Sequence, residues 1–150
     1  MNANAVWIDR GLLLLRVALG IVFVAHGGQK LFVFGHGGVT GAMAALGIPF
    51  PSVNAVLVTA AELGGGLALL TGTLTRAAAA VVAFAMGVAV ATAHLPHGFF
   101  APAGVEYPLT LLLASLTLVL TGAGRYSVDA WLTEKTTPAA SREQRLSHAA

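Results

Sequence analysis

Apolar residues run along this chain in long blocks instead of alternating with polar ones. A helix needs roughly 20 mostly apolar residues to cross a bilayer. Four blocks meet that demand, at about 11–34, 53–72, 77–95 and 107–123. None sustains the two-residue alternation of a membrane-barrel strand. The pattern therefore predicts an all-α protein, a transmembrane four-helix bundle. Arg16 interrupts the first block and no good A-x-A cleavage site follows, so the block reads as a retained helix and not as a signal peptide.

The connections differ in kind. Residues 73–76 make a tight turn, which sets the second and third helices antiparallel and adjacent. The longer first loop contains residues 39–46, which predict a short interfacial helix ended by Gly47 and Pro49. The loop 96–106 carries Phe99, Phe100 and two prolines and is expected to lie over the membrane. Tyr126 and Trp131 suit the headgroup level. From Thr133 the chain is polar with little to bury, which divides it into a membrane domain, 1–132, and a mobile tail, 133–150.

Composition strengthens this picture. Hydrophobic residues make up 57% of the 150 and charged ones only 9%, where soluble chains carry about 25% charged residues. The mean hydropathy is +0.82. The first partner is a lipid bilayer. A net charge of +2 gives no reason to expect nucleic acid. The absence of cysteine excludes disulfides, thiolate metal sites, iron–sulfur ligation and covalent haem attachment on this chain. With the N-terminus inside, Arg10, Arg16, Arg76, Arg125, Lys135, Arg142 and Arg145 fall on the cytoplasmic side and only Lys30 in the outer half. That asymmetry predicts cytoplasmic termini.

Small residues crowd the second and third helices, among them Gly64, Gly65, Gly66, Ala83 and Gly87, and in lipid such residues let backbones approach closely. The fourth helix is rich in leucine and offers a broad apolar face to lipid, to partner subunits or to a second copy of the chain.

An ionisable group at the bilayer centre costs about 2.5–3.5 kcal/mol on insertion scales, so each such residue needs a reason. Glu62 sits at the middle of the second helix. His26 and Lys30 stand four residues apart on the outer half of the first. Helical side chains lean toward their own N-terminus, so Lys30 leans into the membrane and Glu62 leans outward to meet it. Arg16 leans the other way, where it can snorkel to the inner interface. The outer half also gathers His94, His97, Glu106 and Tyr107. Two histidines and one carboxylate are too unspecific to predict a metal site. The structural alternative for Glu62 is a buried ion pair that fixes helix register.

The chain resembles the DoxX family of small four-helix membrane proteins. The likeness runs through "LLRVALGIVFVAHGGQKL", "ALGIPFP", "AAELGGGLALLTGTLTRAAA" and "EYPLTLLLASLTLVLTGAGRYSVDAWL", and covers nearly everything from Leu13 to Trp131. It implies a protein of the prokaryotic inner (plasma) membrane associated with quinone-linked oxidation, and hence quinone as a candidate cofactor. No flavin, haem or iron–sulfur motif is visible, so electrons would come from a partner. A ligand site is expected from His26, Lys30, Glu62, His94, Glu106 and Tyr107, with Arg16, Arg76 and Asp129 as structural charges. The function expected is a membrane accessory subunit of a redox complex, at most the membrane part of a quinone-linked oxidoreductase. The alternative is a non-catalytic scaffold packed on a larger complex. A small permease fits less well, because four spans show no inverted repeat.

Overall fold

The computed structural model describes residues 3–136 and is helical throughout, with no strand among the described residues. Its α-helices are α1 (Ala3–Gln29), α2 (Gly35–Ala45), α3 (Pro51–Thr71), α4 (Thr75–Ala89), α5 (Glu106–Thr121) and α6 (Val128–Thr136). Two segments widen into π-helix. Lys30–Phe34 joins α1 to α2, and Val90–His94 extends α4 before a 3₁₀ turn, Leu95–His97.

Local chemistry accounts for the boundaries. α3 starts with Pro51 in its first turn, where a missing N–H costs nothing. It stops at Gly72, whose left-handed backbone (φ +72°) lets its N–H reach back to the Ala68 carbonyl. Leu74 then adopts φ +47°, an unfavourable conformation for a side-chain-bearing residue. Asp129 from α6 secures the turn: its Oδ1 accepts from the Leu74 N–H at 2.7 Å and its Oδ2 from the Thr75 N–H at 2.9 Å.

Several boundaries depart from the sequence pattern. α1 begins at Ala3, ahead of the apolar block, because its polar first turns have partners. Asp9 accepts a hydrogen bond from the Arg125 N–H, and Arg10 lies over the Trp7 ring. The helix expected at 39–46 starts at Gly35 and follows the first helix without an intervening loop. α6 continues through Thr133–Thr136, where a mobile tail was expected. Ser127 caps its start by accepting from the Ala130 N–H, and Lys135 sits 3.8 Å from the Trp131 ring centroid. The rest of the expected tail lies outside the described residues.

α1 packs on α3, α3 on α4, α4 on α5, and α5 back on α1, while α2 lies against α3. Leu19, Phe23, Leu69, Val82 and Leu118 fill the centre. Ile21, Val56, Leu57, Val81, Phe84 and Leu120 are exposed on the outside. An apolar exterior on this scale suits lipid and not water. Among the described residues, 51–71 and 75–97 form helices long and apolar enough to cross a membrane, and Glu106–Thr121 is a shorter apolar helix.

Close helix approach is concentrated at a few glycines. A Cβ at Gly27 would lie 2.5 Å from the Leu63 backbone nitrogen, and one at Gly66 would lie 2.7 Å from that of Val24. The tightest seam therefore joins α1 to α3. Gly65 is also occluded, by Val82 of α4, but Gly64 and Gly87 face open space.

Candidate functional site

Glu62 is 3% exposed, and its Oε2 accepts a hydrogen bond from Lys30 Nζ at 2.5 Å. The close α1–α3 seam brings the two residues together. Glycine at 27 removes the side chain that would hold the helices apart one turn below Lys30. The pair forms part of the wall of a groove of about 630 Å³. Its other walls are apolar residues of three helices, including Met43 of α2, Leu57 and Val58 of α3, and Phe84 and Met86 of α4. Leu57, Val81 and Phe84 are exposed on the outside of the molecule, so the groove opens sideways, where lipid would lie. Asn54 and Thr92 are the other polar residues on its walls.

Both π-helical segments border this groove. Lys30 begins one, and Thr92 and Ala93 belong to the other. A π-helix sacrifices regular i→i+4 bonding and is frequent at functional sites. A lysine ammonium carries three donors, of which Glu62 takes one. The arrangement can therefore present N–H donors and a paired carboxylate to a molecule held in an apolar slot, and the size is that of an ordinary small-molecule site.

The remaining expected residues lie elsewhere. His26 turns toward α5, where its Nε2 lies 3.5 Å from the Tyr107 hydroxyl with the ring centroids 6.2 Å apart. His94 Nδ1 donates to the Ala103 carbonyl at 2.8 Å, and Glu106 Oε1 accepts from the Ala101 N–H at 2.7 Å. These two hold the loop over the end of the molecule and do not line the groove. His97 likewise donates to a backbone carbonyl, that of Ala93.

Arg16 does not snorkel. It is 1% exposed and donates from Nη2 to the Tyr126 carbonyl. The guanidinium packs so closely on Gly72 that a Cβ there would overlap it. The segment after α5 seals the arginine instead of leaving it a path to water, a closure that no local sequence signal announces. Asp129 ties that segment to the α3–α4 turn, and Arg76 donates to the Val119 carbonyl at 3.0 Å. Sequence reasoning also missed the part played by α2 and the turn after it: Met43, Leu46 and Ile48 cover one side of the groove, and only tertiary packing places them there.

The family model described as DoxX matches residues 11–95. The inner membrane protein YqjF of Escherichia coli is 38% identical over 132 residues, which cover 85% of this chain and 95% of that protein. CatD of Bacillus subtilis, provisionally named an oxidoreductase, is 36% identical over 120 residues, 79% of this chain and 84% of CatD. A membrane protein of Mycobacterium tuberculosis, Rv3486, is 30% identical over 139 residues, 85% of each. No solved structure matches significantly. Similarity to an inner membrane protein over nearly its whole length, together with helices of crossing length, places this chain in the prokaryotic inner (plasma) membrane as a multi-pass protein.

Proposed function

Because the chain belongs to the DoxX family, we propose that it serves as a membrane accessory subunit of a redox complex and binds quinone, or a similar lipid-soluble redox-active ring, in the groove beside Lys30 and Glu62. The observation that carries this reading is a costly intramembrane ion pair set in the wall of an apolar slot that opens toward lipid. A purely structural pair would gain nothing from an adjoining slot of ligand size. The provisional naming of CatD as an oxidoreductase agrees with redox chemistry nearby.

The residues fit such a ring. Lys30 would donate to a carbonyl oxygen, and Glu62 would hold or release a proton beside it. Leu57, Val81 and Phe84 would receive the apolar tail from the bilayer. A bound quinone supplies a two-electron, two-proton couple, and the electrons come from a partner enzyme, because this chain carries no flavin or metal-cluster motif. The same proposal includes four crossings as a helix bundle, formed by α1, α3, α4 with its extension, and α5, with both termini cytoplasmic.

The test is quinone content after purification in mild detergent. The unchanged protein should retain extractable quinone at close to one per chain. Lys30→Met and Glu62→Gln, the second of which keeps the side-chain shape, should lower that content severalfold while helicity persists. Unchanged quinone in both folded variants would leave the scaffold alternative, for which the exposed leucines of α5 supply a docking face.

A further inference from the structure

At the other end of α4, a second groove of about 650 Å³ lies between the start of α4, the end of α5, and α6. Leu74, Ala77, Ala123, Ala130 and Leu132 make much of its lining apolar, and Arg76 is its cation. The Arg76 guanidinium is fixed on one side, where Nη1 donates to the Val119 carbonyl. Its Nε–Nη2 edge faces Gly122. A side chain there would begin 3.2 Å from Nε and 3.5 Å from Nη2 and would cover that edge. Glycine at 122, needed also for the φ of +82° that ends α5, keeps the edge clear.

This edge of arginine matches two oxygens of one phosphate. The acidic residue of the groove is turned away from this edge, because both Asp129 oxygens accept from backbone N–H groups at the start of α4 and form no ion pair with Arg76. Around the cation the surface is greasy. Leu74 and Leu132, both of the groove lining, are exposed, and so is Leu120 one residue before Thr121 of the lining. A free anion gains nothing from these leucines, whereas a lipid gains contact along both acyl chains.

We propose that this groove binds the phosphate of an anionic phospholipid, with Arg76 as its bidentate donor and the acyl chains lying along Leu74, Leu120 and Leu132. The site is separate from the Lys30–Glu62 groove and does not depend on what binds there.

The full chain, delipidated in neutral detergent, is titrated with phosphatidylglycerol, phosphatidylcholine or inorganic phosphate, and adducts are followed by native mass spectrometry. One phosphatidylglycerol should bind in preference to phosphatidylcholine, and inorganic phosphate at matched concentration should not displace it. Arg76→Gln should weaken binding about tenfold, as expected for loss of a charge-assisted pair. Ala77→Glu, which places a carboxylate at an exposed groove position, should do the same and decides the matter if Arg76→Gln fails to fold. Equal retention of phosphatidylglycerol by the unchanged protein and the folded variants would overturn the proposal. So would displacement by inorganic phosphate, which would make this a free-anion site.

Discussion

Lys30 and Glu62 set the cost of charge within the membrane at the scale of two side chains. Neither charge is cheap within a membrane, and each is stabilised chiefly by the other. Glu62→Leu alone should lower stability by about 3 kcal/mol, because it strands a largely buried ammonium. The double variant Lys30→Met with Glu62→Leu should recover part of that loss. Thermal unfolding in detergent checks both, and equal damage from single and double variants would show that the pair contributes nothing as a pair. The contact between these residues could be expected from sequence, because the opposed lean of side chains on antiparallel helices points the two at each other. The placement of His26 could not. Four-residue spacing put it beside Lys30, but the sequence does not show which neighbouring helix each side chain meets: Lys30 pairs with Glu62 of α3, whereas His26 lies against Tyr107 of α5.

At the scale of the element, the apolar blocks revealed the long helices well, since length and hydropathy are properties of the chain itself. Helix ends were less visible. The early start of α1 and the existence of α6 depend on partners 116 and 55 residues away, in the hydrogen bond from Arg125 N–H to Asp9 and the Asp129 contact with the α3–α4 turn. Small residues were visible as a class, but their function was not. Gly27 meets backbone whereas Gly64 meets nothing. Gly27→Ala should therefore force α1 from α3 and destabilise by about 1–3 kcal/mol, as overpacking does. Gly64→Ala should be neutral or stabilising, since alanine is favoured over glycine by up to about 1 kcal/mol within a helix. Comparing the two unfolding temperatures tests whether the seam lies where the backbone contacts place it; a similar loss in both would not fit.

For the whole molecule, the orientation and the number of crossings make one prediction together. The natural chain has no cysteine, so single cysteines at His36 and Glu134, both exposed, report sidedness cleanly. In intact cells an impermeant thiol reagent should label position 36 and spare position 134, and the reverse pattern would invert the proposed topology. The sealed guanidinium of Arg16 also bears on the order of synthesis. Its hydrogen-bond partner, the Tyr126 carbonyl, is 110 residues later in the chain. When α1 leaves the ribosome, the arginine meets a membrane with its eventual cover still untranslated. The first helix must then wait in an unfinished position, and its final seating becomes a late, post-insertion event that registers completion of the chain. A polypeptide ended after α5 would keep every long apolar helix yet lack this closure, and in cells it should be cleared by membrane proteases while the full chain persists.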